Sequence, residues 1–334
     1  MGILITAYSF IAAVIGAGFA SGQEILSFFV VHGKWGGLGI VLSAMLFGGF
    51  TYIILNACLI FKTDDYGKLS EILLNEKIRK LSDILIAVFM LCSLAVMTAC
   101  FGETVYLIFG ADKAVSAALF ALGCGIVTAF GADRALKLNG VLGMIISVGV
   151  VSSVLYLLRY REHSVFAPQV SAVISGAGYS GYNLIGMGVI LASMSKNIKS
   201  RGEAAAAGII SGVSLFVMMG LIFGLLSIYY KYINLGEIPV LTLAMRENRV
   251  ITCIYGVMLL LAVVTTAISD IVGITEITGF KSRYTAFFIA FSGLAVSCAG
   301  FSALINTAYR ICGYAGIILT LYFIKRIKNA ENKR

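Results

Sequence analysis

Apolar stretches of about 20 residues recur from one end of this chain to the other, at roughly 4–30, 36–61, 81–110, 113–131, 138–159, 166–195, 205–230, 250–278, 284–299 and 301–324. A helix of that length matches a hydrocarbon layer about 30 Å thick. Inside such a layer the backbone must satisfy its own polar groups, which an α-helix does. Residues are 60% hydrophobic and only 12% charged, about half the charged share of soluble domains, near 25%. A β-barrel would instead show short alternating segments. The pattern predicts an all-α polytopic membrane protein of ten transmembrane helices, surrounded by the lipid bilayer. The third and eighth stretches are long for a perpendicular crossing and are expected to tilt. The connection 231–249 is expected to hold a short surface helix.

Charge places the ends. With the N-terminus inside, the inner connections hold 17 of the 25 Lys and Arg, the outer ones hold 7, and Arg310 lies within a span. Positive residues favour the cytoplasmic side, so both termini are expected there, in the plasma (inner) membrane. The net charge of +9 then reflects topology and contact with anionic lipid, and no nucleic-acid partner is needed to explain it. The first apolar run has no basic leader and enters "GAGFASG" directly, unlike a cleaved signal peptide. Seven cysteines form no CxxC pair, and His32 and His163 fall in loops. Neither a disulfide framework nor a metal-bound cofactor is suggested. No phosphate-binding loop supports ATP-driven pumping.

Two segments break the apolar rule alike. Residues 16–22 read "GAGFASG" and residues 175–183 read "SGAGYSGYN", with Gly16 and Gly176 separated by 160 positions. Five spans separate their starts, so the second copy enters the bilayer from the opposite face. That is the signature of two inverted repeats, 1–160 and 161–334. Each Gly costs a helix about 1 kcal/mol relative to Ala. Glycines in membrane helices also mark close helix packing, but here polar residues follow both copies directly. The expectation is that helices 1 and 6 are discontinuous. The freed backbone groups of such breaks are tolerated only where a ligand, ion or water takes them.

Ten spans, interrupted first and sixth helices and a Gly-x-Gly in the first resemble the amino acid–polyamine–organocation superfamily, with its five-plus-five inverted-repeat fold. "IGAGFASGQE" is similar, more narrowly, to the YkvI-like bacterial membrane proteins. The resemblance implies a secondary transporter driven by Na⁺ or H⁺ and no enzyme. It implies that the backbone of Gly16, Ala17, Gly18, Phe19, Ala20, Ser21 and Gly22 holds a substrate carboxylate. Gly176, Gly178, Tyr179, Ser180 and Asn183 would close the pocket, with Phe19 and Tyr179 as aromatic walls. Core packing is the competing role for those two rings.

"LAVVTTAISD" in the eighth span carries Ala262, Thr265 and Thr266 at the spacing of Na⁺-coupled relatives. The resemblance implies a Na⁺ site made by these three and the carbonyls of Ala12 and Ile15. Oxygen ligands suit a hard cation, although Thr in membrane helices also bonds its own preceding turn. Asp270, one turn further on, either tunes that ion or carries a proton. Buried acids are costly, by roughly 2.5–3.5 kcal/mol on insertion scales. Arg310 in the tenth span is expected to pair with Glu24 as an outer gate, with Glu103 as second partner. Relatives close that side with the opposite signs, so only the geometry carries over.

Donors at the first break suit a carboxylate, whereas Glu24, Glu103 and Asp270 attract cations. A zwitterionic amino acid fits both, and a related amine fits the aromatic residues Phe19, Tyr179 and Tyr182. A sensor would need a further domain, a channel a continuous polar lining, and an enzyme a nucleophile–base pair.

Overall fold

The structure is a computed structural model that describes residues 2–158, 171–230, 235–279 and 282–331, with 131–144 by backbone alone. Among the described residues every regular element is helical. Six helices among these residues are long and apolar enough to cross a membrane, and the chain is an integral membrane protein.

The first apolar stretch is three short helices: α1 (Gly2–Val14), α2 (Ala17–Ser21) and α3 (Gln23–Phe28). A 3₁₀ turn over Val30–Trp35 leads into α4 (Gly36–Phe61), followed by α5 (Tyr66–Leu73), α6 (Glu76–Phe109) and α7 (Lys113–Leu157). Then come α8 (Ser171–Met194), α9 (Arg201–Tyr229), α10 (Pro239–Glu247), α11 (Arg249–Thr278) and α12 (Arg283–Ser297). A short α13 (Phe301–Leu304) runs through a π-turn, Ile305–Tyr309, into α14 (Arg310–Glu331). Starts follow local chemistry. Asp65, Asn75, Asp112, Ser200 and Asn248 each accept the amide three residues on, at the heads of α5, α6, α7, α9 and α11. A cap of this kind stabilises by about 1 kcal/mol. Gly110 and Gly279 end α6 and α11 in the left-handed conformation that glycine adopts freely.

Two expectations are corrected here. Helix α7 joins the expected fourth and fifth spans into one 45-residue element. The sequence between them, "GADRALK", holds no proline, and Ala, Arg, Leu and Lys are strong helix formers, so nothing local stops it. At 1.5 Å per residue it reaches about 68 Å; its first part, Lys113–Phe130, is long and apolar enough to cross a bilayer, and Ile145–Leu157 is a shorter apolar stretch. The second correction concerns α8, which runs unbroken from Ser171 to Met194 through Gly176, Gly178 and Gly181.

The packing of α8 supplies the reason. A methyl on Gly176 would lie 2.6 Å from the Gly39 carbonyl oxygen of α4. One on Gly178 would meet the Tyr314 ring at 3.1 Å, and one on Gly181 would overlap the Gly313 carbonyl and reach the Ile317 amide at 2.7 Å. These glycines let α4 and α14 approach the α8 backbone, as small residues do between membrane helices. Ser43 Oγ ties the first contact by donating to Gly176 O at 3.0 Å. The core sits where α1–α3, α4, α6, α8 and α11 meet.

Candidate functional site

The first membrane helix does break. Gly16 is extended, with φ −83° and ψ −175°, and Gly22 is left-handed at φ 81°. The Gly16 amide turns back to Val14 O at 3.0 Å instead of continuing the helical ladder. The carbonyls of Ala12, Ala13 and Ile15 therefore accept no backbone hydrogen bond, and α2 begins with its own first amides unpaired. Side chains complete part of the break. Ser21 Oγ donates to Gly18 O at 2.9 Å and accepts from the Gln23 amide at 3.1 Å. Tyr255, on α11, donates its hydroxyl to Ala20 O. Helix α10 lies against the same break: its Val240 would meet a methyl on Gly22 at 2.7 Å. Pro239, Val240, Leu241, Leu243 and Ala244 are buried, so the expected surface helix presents one face to the core.

Phe19 and Tyr179 are both fully buried. Tyr179 meets the rings of Phe28, Phe29, Phe47 and Tyr182 at centroid distances of 5.0–5.9 Å. Tyr182 also meets Phe28 at 5.7 Å, Phe89 at 5.6 Å and Tyr309 at 4.7 Å. Such aromatic pairs are worth roughly 0.5–1.5 kcal/mol beyond area burial. Ser180 and Asn183 bond within their own helix, to Gly176 O and Tyr179 O, each at 3.0 Å. Gly176 and Gly178 face neighbouring helices and do not open a pocket.

Polar atoms without partners gather around these rings. Glu24 is only 5% exposed, and its carboxyl faces the Tyr182 hydroxyl without closing a hydrogen bond. Oε2 of Glu24, Oε1 of Gln23 and the hydroxyls of Tyr179 and Tyr182 have no hydrogen-bond partner. Asp270 is likewise buried; it faces Ser93, and its Oδ2 has no hydrogen-bond partner. Tyr309, delivered by the π-turn, lies within electrostatic reach of both acids. Buried polar atoms left unsatisfied cost roughly 1–3 kcal/mol each, and π-turns often mark functional sites.

The expected outer gate does not form. Arg310 Nη2 donates to Ser27 O at 2.8 Å, and its guanidinium lies 5.6 Å from the Phe28 ring centre. Glu103 pairs with Lys113. The reason is local. Lys113 opens α7 directly after α6, against the Gly102 turn, so it reaches Glu103 before Arg310 can. Glu24 turns back through Gly22 and lies over Gly18: a methyl on Gly18 would overlap its carboxylate group, with Cδ at 2.7 Å.

At the other end of the break α11 approaches. A methyl on Gly16 would lie 3.8 Å from Thr266 Oγ1. Thr265 Oγ1 donates to Ala262 O at 3.0 Å, the bond within its own helix. Thr266 thus approaches the break at Gly16, where α11 packs against α2, and Ala12 and Ile15 lie on the chain just before it. Among the described residues no three His, Cys, Asp or Glu side chains converge to hold a metal ion.

Sequence reasoning missed Gln23, Phe28, Ser93, Tyr255 and Tyr309. Tyr255 acts on Ala20 from 235 positions away, a distance no local pattern encodes. Tyr309 precedes Arg310 in an ordinary-looking apolar run, and only the π-turn aims it inward.

No protein-family model matches the chain. It is 24% identical over 332 residues to YkvI, an uncharacterized membrane protein of Bacillus subtilis, covering 93% of this chain and 92% of that one. It is 24% identical over 276 residues to the uncharacterized protein YyaD of the same organism, covering 80% and 78%. Among solved structures, a Na⁺-coupled sialic acid symporter in its substrate-bound outward-open state superimposes with TM-score 0.67 at 14% identity, over 97% of this chain and 78% of that one. A mutant manganese transporter of Eremococcus coleocola gives TM-score 0.55 at 13% identity, over 98% and 75%. The chain has the fold of these membrane carriers.

Proposed function

We propose that this protein is a secondary transporter that moves a small amine or amino acid across the bacterial plasma membrane by alternating access, coupled to Na⁺. One observation carries the reading: the first membrane helix is interrupted mid-core, and the buried carboxyl and hydroxyl groups around the interruption lack partners. An interrupted helix persists in a membrane only where something else satisfies it, and a substrate and its ion are what this fold's carriers bring. Counterflow tests it. Proteoliposomes loaded with unlabelled substrate should accelerate entry of the labelled compound, whereas a sensor or channel would give no acceleration.

The ion would sit between the free carbonyls of Ala12 and Ile15 and the α11 groups Ala262, Thr265 and Thr266. The approach of Thr266 to Gly16 supports this placement. Uptake should require Na⁺, and Thr266→Val should remove that requirement or the uptake itself. A H⁺-coupled variant is favoured by a different observation, the buried acids Glu24 and Asp270 with no ion pair among the described residues. Uptake driven by a pH gradient in Na⁺-free buffer would select it.

The two inverted halves, 1–160 and 161–334, are supported by reciprocal contacts. Gly48 and Gly208 are 160 positions apart, as are Gly16 and Gly176. A methyl on either would point at the other's carbonyl oxygen, at 2.8 and 2.6 Å. Contacts of Met90 with Gly273 and of Ile108 with Gly256 exchange under an offset of 165–166 positions. A two-fold axis through α4 and α9 produces such self-matching pairs. The Lys and Arg bias of the connections is what would place both termini in the cytoplasm.

A further inference from the structure

We infer that the transported substrate is an organic cation lacking a carboxylate, and that Glu24 is the residue that recognises it; this rests on the transporter reading above. The sequence alone leaves the backbone around Gly18 open to a substrate carboxylate. In the folded chain that ground is taken. Glu24 lies in the first turn of α3, just after the left-handed Gly22, and its carboxyl group lies directly over Gly18. A second carboxylate placed there would meet the first in both volume and charge.

The surroundings of Glu24 are those of a cation site. Its Oε2 is buried and has no hydrogen-bond partner. Among the described residues neither Lys113 nor Arg310 pairs with it: Lys113 bonds Glu103, and Arg310 donates from Nη2 to Ser27 O beside the Phe28 ring, its Nε without a hydrogen-bond partner. Beside it stand Tyr179 and Tyr182, with ring centroids 5.5 Å apart, and aromatic faces attract ammonium groups. The two tyrosine hydroxyls there also lack partners and can accept from an ammonium N–H. A buried carboxylate calls for a counter-charge, and a protonated amine entering between the rings supplies one.

Matched pairs separate the possibilities: agmatine with arginine, cadaverine with lysine, and tyramine with tyrosine, each added to the purified full-length protein during thermal melting. The amines are expected to raise the melting temperature and their parent amino acids to leave it unchanged. Glu24→Gln, nearly isosteric, should weaken amine binding by about tenfold to a hundredfold, the range for one hydrogen bond to a charged group. Stabilisation by the amino acids equal to or greater than that by the amines would overturn the inference. So would an unaltered amine affinity in Glu24→Gln, or a panel in which no amine has any effect. Counterflow with the same compounds keeps the two readings apart. Amine binding that depends on Glu24 without exchange would defeat transport and leave recognition standing. Exchange of an amino acid that needs Arg310 would leave transport standing and defeat the cation.

Discussion

Gly18 and Tyr255 show how narrowly single residues constrain the break. The Glu24 carboxyl group is packed where a Cβ of Gly18 would be, so Gly18→Ala must displace that carboxyl from its place over the break. Uptake is expected to fall by about tenfold or more while membrane expression stays normal, measured as transport per unit of purified protein. Tyr255 acts from outside the segment: its hydroxyl closes the Ala20 carbonyl of α2. Tyr255→Phe leaves that buried carbonyl unsatisfied, a loss of roughly 1–3 kcal/mol. A melting temperature lowered by several degrees in detergent is the expected result. An unchanged value would mean that α2 is held by packing alone.

At the scale of elements, helix α8 separates two uses of glycine. Gly181 is pressed against the backbone of α14, whereas Gly186, one turn later, has nothing within 4 Å of a Cβ position. Gly181→Ala should cost about 1–3 kcal/mol through overpacking. Gly186→Ala should be neutral or stabilise by up to about 1 kcal/mol, the intrinsic helix preference. Paired thermal melts read both. If the motif acted as a hinge instead of a seam, the two substitutions would change uptake without this split in stability. The exposed thiols of Cys253 and Cys298 contrast with the buried Cys58, Cys100, Cys124 and Cys312, so a cysteine within a membrane helix does not by itself mean an interior position.

Across the whole molecule the reciprocal contact of Gly48 with Gly208 joins α4 to α9. Alanine at either position forces α4 and α9 apart, and the separation that accommodates one methyl also admits the other. The double variant should therefore cost clearly less than the two single costs added together, a coupling that a double-mutant cycle measures. Topology is testable too. A fluorescent protein that matures only in the cytoplasm, fused at the C-terminus, should fluoresce; a dark fusion at normal abundance would reverse the charge-based orientation.

Hydrophobic length and glycine placement were enough to specify a helical membrane protein with an interrupted first helix, because both follow from local chemistry: about 20 apolar residues span a bilayer, and Gly22 adopts a left-handed conformation at little steric cost. The approach of Thr266 to Gly16 was expected only through the family resemblance, because spacing within α11 does not say which helix it faces. The fate of "GAGY" at 176–179 was not legible. The same three letters that open the first helix at 16–18 leave α8 intact, since glycine permits a break and close packing equally. The neighbours decided. Around residues 16–22, Ser21 and Tyr255 stand ready to take freed carbonyls, whereas around 176–181 the backbones of Gly39 and Gly313 press in and reward a straight helix. The partner of each buried charge was decided likewise by tertiary distance, because an ion pair forms with whichever opposite charge the packing brings near, and for Glu103 that was Lys113.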